Sequence, residues 1–357
     1  MISLQIKQTR QVNKRGLGNV LKLIKGLIKR PLVSPIRIIL VTALLELPSN
    51  LSLKMIAIPW MPRLLNRLNR IMEGRERSFV DEKLYQLSLK KLAAAQGKYQ
   101  IPAFAVAFFF SRSFEILINV DLSHLFATNS SLLRYIINFP IVLSADQFQS
   151  VNSCLKILFE ELGRTWEKDL DPSVRLRQAE AVTMNLGYLP LLFTDENLKP
   201  FAVTMGRHLE YFLEFQGHQL DFRRPLSEPG ARIRVGILVR DLQPRTETFI
   251  ARAFLAGLDR TKFCPVLVTL EDSGSSPDLA SGRECREEVA IISHRDLATQ
   301  VEAIRALDLD LIIICNAMAG QINNYIMLIA HRLASIQVLP AAVWPQTSGL
   351  SRIDYAL

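Results

Sequence analysis

The chain has 357 residues, 49% hydrophobic and 22% charged, a composition that excludes disordered, collagenous and low-complexity classes and accommodates two or three domains. Its formal net charge of +9 is unevenly spread: residues 1–77 hold 15 Lys and Arg against 3 Asp and Glu, and the other 280 hold 28 against 31. The basic excess belongs to the first fifth of the chain, which argues against a nucleic-acid partner for the rest.

Residues 1–77 read as a basic amphipathic helical segment. Leu17, Val20, Leu21, Leu23, Ile24, Leu27 and Ile28 recur near helical spacing with Lys22, Lys25 and Lys29 opposite most of them. Leu64, Leu65, Leu68, Ile71 and Met72 repeat the pattern beside Arg63, Arg67 and Arg70. The adopted reading packs these apolar faces on the following helices; attachment to an anionic membrane surface is the alternative. Ile38–Leu45 is apolar but falls short of the ~18–20 residues that span a bilayer, so no transmembrane helix is expected. A secretory leader is not expected either.

Residues 78–224 read as an all-helical domain, with segments near Asp81–Gln96, Ala103–Phe114, Ala145–Leu162, Ser173–Leu186 and Val203–Phe215. No 34-residue repeat is legible. The aromatic stretch from Tyr99 to Phe114 reads as core rather than as a binding groove. His124, His208, His218, His294 and His331 stand isolated in sequence, and no HExxH or paired CxxC occurs, so no metal site is expected. Cys154, Cys264, Cys285 and Cys315 are widely spaced, which fits reduced structural thiols in a cytoplasmic protein.

Pro225–Gly230 breaks any helix and marks a boundary. Beyond it, residues 232–357 alternate: strand Ile233–Val239, helix Thr248–Leu258, strand Phe263–Leu270, a strand candidate at Val289–Ile292, helix Asp296–Leu307, strand Leu309–Cys315, helix Asn323–Leu333 and strand Ile336–Leu339. Near-continuous apolar strands with helix-length crossovers predict a parallel sheet covered on both faces. The fold class is therefore α + α/β, a helical array followed by a Rossmann-like domain. Such sheets bind ligands at the carboxyl ends of their strands, which directs attention to Arg240–Glu247, Asn316–Asn323 and Pro340–Gly349. The first of these turns puts Arg240, Asp241, Arg245 and Glu247 together and contains no glycine. A pyrophosphate cradle needs glycines for close backbone approach, and neither GxGxxG nor GxxxxGK[ST] occurs, so the turn reads as a polar acceptor or acid–base site, or as a solvated loop of local ion pairs.

Several segments in order carry a resemblance. Arg234–Leu242 resembles the opening strand and turn of the catalytic region in the SPINDLY and O-linked N-acetylglucosamine transferase family. Leu309–Ile313 is similar to its "D-I-L-V" strand, Ala330–Val338 to its "A-x-R-P-A-P-x-Q-V" segment, and Pro345–Tyr355 to its "P-G-T-T-G-x-x-x-I-D-Y" stretch. The resemblance covers about residues 232–357. It implies the first half of a two-Rossmann glycosyltransferase, with a UDP-sugar donor, a protein acceptor and a preceding helical domain. It also implies substrate-binding roles for Arg240, Asp241, Thr347, Ser348 and Gly349.

The chain departs from the family pattern at three places. Arg245 stands where the family carries His, and a guanidinium stays protonated at neutral pH; Glu247, two residues on, is the substitute acid–base candidate. Gln346 stands where the family has glycine. Leu357 falls where the family's first Rossmann domain hands over to the donor-binding second one, so this polypeptide alone is expected to bind no cofactor and to be inactive without that domain. A non-catalytic protein-binding module and a membrane-surface adaptor acting through residues 1–77 remain as alternatives.

Overall fold

A computed structural model describes residues 40, 42, 44–45, 79–94, 145–167, 171–186, 197–223, 230–270, 288–293, 296–316, 321–340 and 348–356. The amphipathic stretches near 17–30 and 64–72, the helix read over Ala103–Phe114, and Cys285, His124, His294, Gln346 and Thr347 lie outside them. The chain divides into two compact units, Met1–Leu170 and Asp171–Leu357.

In the first unit, α1 (Phe79–Ala94) and α2 (Ala145–Trp166) are described. In α2 Leu155, Leu158, Phe159 and Leu162 are buried, an i, i+3, i+4, i+7 stripe. The helix runs one turn beyond the expected Leu162 to Trp166; in that turn the Thr165 hydroxyl donates to the carbonyls of Glu161 (2.8 Å) and Leu162 (3.0 Å). In α1 the Lys91 ammonium donates to the Leu45 carbonyl. No helix among the described residues is long and apolar enough to cross a membrane.

The second unit opens with α3 (Pro172–Asn185) and α4 (Lys199–Phe215), which pack on each other. α4 begins four residues before the expected Val203, with Leu198 at its N-cap making no side-chain bond. Asp171 caps α3 by accepting from the Ser173 N–H at 2.8 Å with Pro172 behind it, and Asn197 accepts from the Lys199 N–H at 3.0 Å. The sheet-bearing unit thus begins at Asp171, and two of the helices read as part of the 78–224 stretch cluster with the sheet.

The sheet follows as β1 (Ile233–Val239), α5 (Thr246–Gly257), β2 (Phe263–Thr269), β3 (Glu288–Ile291), α6 (Leu297–Arg305), β4 (Leu311–Ile314), α7 (Asn324–Ile329), β5 (Ile336–Leu339) and β6 (Tyr355–Ala356). Its strand order is β3-β2-β1-β4-β5-β6 with every pairing parallel, a Rossmann-like sheet. Central β1 aligns Val235 with Leu311 on one side and with Pro265 on the other. Its alternation splits the core: Val235, Ile237 and Val239 pack with Ala251 and Leu255 of α5, Leu267 and Ile313, while Leu238 is fully buried as well.

In the second half of the sheet the structure differs from the sequence expectation at β4, α7 and β6. β4 starts at Leu311 rather than Leu309, because Asp308 turns the chain at φ +60° and the Asp310 carboxylate accepts from the Arg234 N–H at 2.8 Å. α7 stops at Ile329, four residues early: the Gln337 side chain takes the Leu333 N–H at 2.7 Å. β6 was not expected; it pairs Tyr355 with Val338. No helix is described between β5 and β6, and residues 349–352 of that connection lie on α4 instead.

Candidate functional site

The strand order reverses between β1 and β4, and at such a point the two chains leaving the sheet diverge and open a crevice at the carboxyl edge. The turn leaving β1 is built by its own polar groups. Asp241 is buried, and its Oδ1 accepts from the Gln243 N–H at 3.0 Å, an Asx turn that swings the chain off the strand. The Gln243 carbonyl then accepts from the Thr248 hydroxyl at 2.6 Å, fixing the entry to α5. α5 begins at Thr246, two residues earlier than expected.

Arg245 stands half exposed at the mouth of α5. Its guanidinium reaches the Gln243 Oε1 at 2.5 Å and the Asp241 carboxylate at 3.6 Å. Asp241 and Arg245 are therefore brought together. Arg240 is exposed, and its carbonyl accepts from the Leu270 N–H at 3.2 Å, continuing the β1–β2 ladder. Glu247 is half-buried in the first turn of α5, where the helix N-terminus favours its negative charge.

Opposite the turn, at the carboxyl end of β4, where the sequence directed attention to Asn316–Asn323, lies Tyr325, which it did not single out. Tyr325 of α7 is buried, its hydroxyl donates to the Leu238 carbonyl of β1 at 3.4 Å, and the Asn316 backbone N–H donates to it in turn. One phenol thus ties the ends of the two central strands. Burial pushes this phenol well above its ordinary range, with Cys315 and the Glu247 carboxylate adding to the shift. Glu247 and Tyr325 therefore share one electrostatic environment. Burial also pushes the Cys315 thiol up to about 12, which makes it a packing residue rather than a nucleophile. The signal in sequence for Tyr325 was Asn323, whose side chain caps α7 through the Ile326 N–H at 3.0 Å and sets Tyr325 in its first turn.

Gly349 lies against α4, with Ser348 just before it. The buried Ser348 hydroxyl accepts from the Leu350 N–H at 3.2 Å. Gly349 adopts φ +70°, and a Cβ there would stand 1.9 Å from the Ala202 carbonyl oxygen; a Cβ on Gly206 would stand 2.2 Å from the Gly349 carbonyl oxygen. Backbone meets helix backbone, which only glycine permits. Other residues of the matching segments also have structural partners. Arg332 forms a two-point ion pair with Asp354, whose Oδ2 takes the Gln337 N–H at 2.8 Å, and the Gln337 amide donates to the Arg352 carbonyl at 3.0 Å. Arg352 meets Glu210 at 2.9 Å and Asp221 at 3.2 Å.

Among the described residues no group of three His, Cys, Asp or Glu is placed to hold a metal ion. Cys264 and Cys315 are free thiols. His218 and His331, isolated in sequence, meet at 3.3 Å.

No protein-family model and no curated protein matches the chain. Among solved structures, a mutant O-GlcNAc transferase of Thermobaculum terrenum aligns with 90% of this chain at 14% identity and a TM-score of 0.37. The chain spans 54% of that structure's length.

Proposed function

We propose that residues 232–357 form the acceptor-side Rossmann domain of a glycosyltransferase that moves a sugar from a UDP-sugar to a protein side chain. The observation that supports it best is the reversal of strand order between β1 and β4. That point is flanked by a charged turn without glycine, Arg240–Glu247, so it offers acid–base groups instead of a phosphate cradle. Glu247 is the base in this reading. Its carboxylate takes the proton of the acceptor hydroxyl, the oxygen forms a bond to the anomeric carbon, and the bond from that carbon to the UDP oxygen breaks, with UDP carrying away the electron pair. Arg245 remains a cation held by Asp241 and Gln243 and acts on charge, not on protons. Arg240 and Asp241 shape the acceptor side, and Thr347, Ser348 and Gly349 belong to the acceptor-side loop. In this reading a second Rossmann domain holds the UDP-sugar donor.

The test has two parts. Calorimetry of the 357-residue chain against UDP and UDP-N-acetylglucosamine is expected to give no saturable heat; saturable binding overturns the acceptor-side assignment. In a protein carrying both domains, Glu247→Gln is expected to lower kcat by about 10²-fold or more at unchanged melting temperature. Unchanged turnover removes Glu247 as the base.

A further inference from the structure

Segment 216–222 leaves α4 and leads toward β1. Gly217 reverses the chain at φ +88°, and the His218 N–H closes the helix end on the Leu213 carbonyl at 3.0 Å. From there the segment is held to the sheet-bearing core by a small set of bonds. The Arg305 guanidinium donates to the carbonyl of Gln219 at 3.0 Å and to that of Arg332 at 3.0 Å, and it lies 5.0 Å from the centre of the Phe222 ring. The Arg332 N–H donates to the Leu220 carbonyl at 2.8 Å. Arg305 also reaches the Leu220 carbonyl at 3.4 Å, the Arg352 guanidinium reaches the Asp221 carboxylate at 3.2 Å, and a further bond joins two imidazoles. His331 Nδ1–H donates to the Met327 carbonyl at 2.9 Å, which leaves its Nε2 as an acceptor for the His218 Nδ1–H at 3.3 Å. The rings meet edge to face, 5.1 Å apart.

This arrangement accepts one proton between the rings and no more without cost. His331 is buried, and it faces the His218 ring of the segment and the Arg305 guanidinium of α6, whose positive charge opposes a proton on His331. Glu302 of α6 is engaged by Arg305 at 2.9 Å and Arg332 by Asp354. Asp296, at the start of α6, faces His218 but already accepts from both the Thr299 N–H and its hydroxyl. A proton added to His331 Nε2 converts the acceptor into a donor facing a donor.

The geometry points to a proton-sensitive clasp: neutral His331 accepts from His218 and helps fix segment 216–222 to the core, and uptake of a proton by His331 Nε2 breaks that bond and loosens the segment. His331 titrates at about 4 in place of 6.5, chiefly through burial, so the closed clasp excludes the proton that the open one takes up below 6.5. Opening therefore becomes easier by up to about tenfold per pH unit between those values.

Hydrogen exchange of the intact 357-residue chain reads this directly, after correction for intrinsic rates. From pH 7 to pH 5, peptides covering 216–222 and 328–334 are expected to lose about 20-fold of protection, with β1 and β4 losing less. His331→Gln, which cannot titrate, is expected to abolish the difference. No loss in the wild-type chain, an equal loss in the strands, or the same pH response in His331→Gln overturns the proposal. If His331→Gln loses its near-ultraviolet circular dichroism, His331→Asn, which likewise cannot titrate, is judged by the same criterion.

Discussion

Replacing Gly349 with Ala isolates the contact between the 348–352 segment and α4. The added Cβ would stand 1.9 Å from the Ala202 carbonyl oxygen, 2.1 Å from its carbon and 2.5 Å from the Val203 nitrogen. All three belong to helix backbone, which has no rotamer to change. The φ of +70° adds about 1–2 kcal/mol of left-handed strain for a residue with a Cβ, and displacing the segment adds a further 1–3 kcal/mol or so. The total of about 2–5 kcal/mol corresponds to a loss of roughly thirty- to several-thousand-fold in exchange protection of α4 and residues 348–356. Two other glycines separate strain from overlap. Gly217→Ala carries φ +88° with nothing within 4 Å, so it should cost only the strain of about 1–2 kcal/mol. Gly257→Ala, in the last turn of α5 with open space around it, should be neutral or stabilising by about 0.5–1 kcal/mol. Hydrogen exchange by mass spectrometry at constant pH ranks the three. If Gly349→Ala is no worse than Gly217→Ala, the backbone contact is not what demands glycine there.

Other expectations follow from single residues. Arg305→Leu strips donors from the Gln219 and Arg332 carbonyls and should destabilise the second unit by about 2–4 kcal/mol, with Arg305→Lys intermediate because an ammonium lacks the fork; urea titration followed by exchange reads both. His208 is fully buried, its Nδ1–H donates to the Thr204 carbonyl, and burial lowers it to about 4 from 6.5. Its unfolded form binds the proton first, so it contributes nothing to pH dependence above about 6.5 and costs up to about 3 kcal/mol as pH falls from there to about 4; a His208→Leu variant should show a flatter stability profile over that window. Iodoacetamide labelling at pH 8 should modify the half-buried Cys264 and spare Cys315 until the unit unfolds, and labelling of Cys315 at a rate comparable with Cys264 would contradict its burial.

What the sequence determined by itself is what neighbouring residues encode. β1 and β5 begin and end where the apolar runs Ile233–Val239 and Ile336–Leu339 place them, and the parallel sheet follows from strands alternating with helices. Caps at Asp171, Asp296 and Asn323 are legible because each side chain bonds an amide two or three residues on. The tertiary structure decided everything that depends on distant partners. β6 has two residues, too few to show a period, and exists because Tyr355 pairs with Val338. Tyr325 reached the candidate site through a β1 carbonyl 87 residues away, and His218 met His331 across 113. Gly349, legible as part of a loop motif, acquired its physical reason only when α4 lay beneath it. Periodicity and capping are local free energies that a short stretch of chain already contains, whereas a contact between distant residues has no trace in either neighbourhood until the core has brought them together.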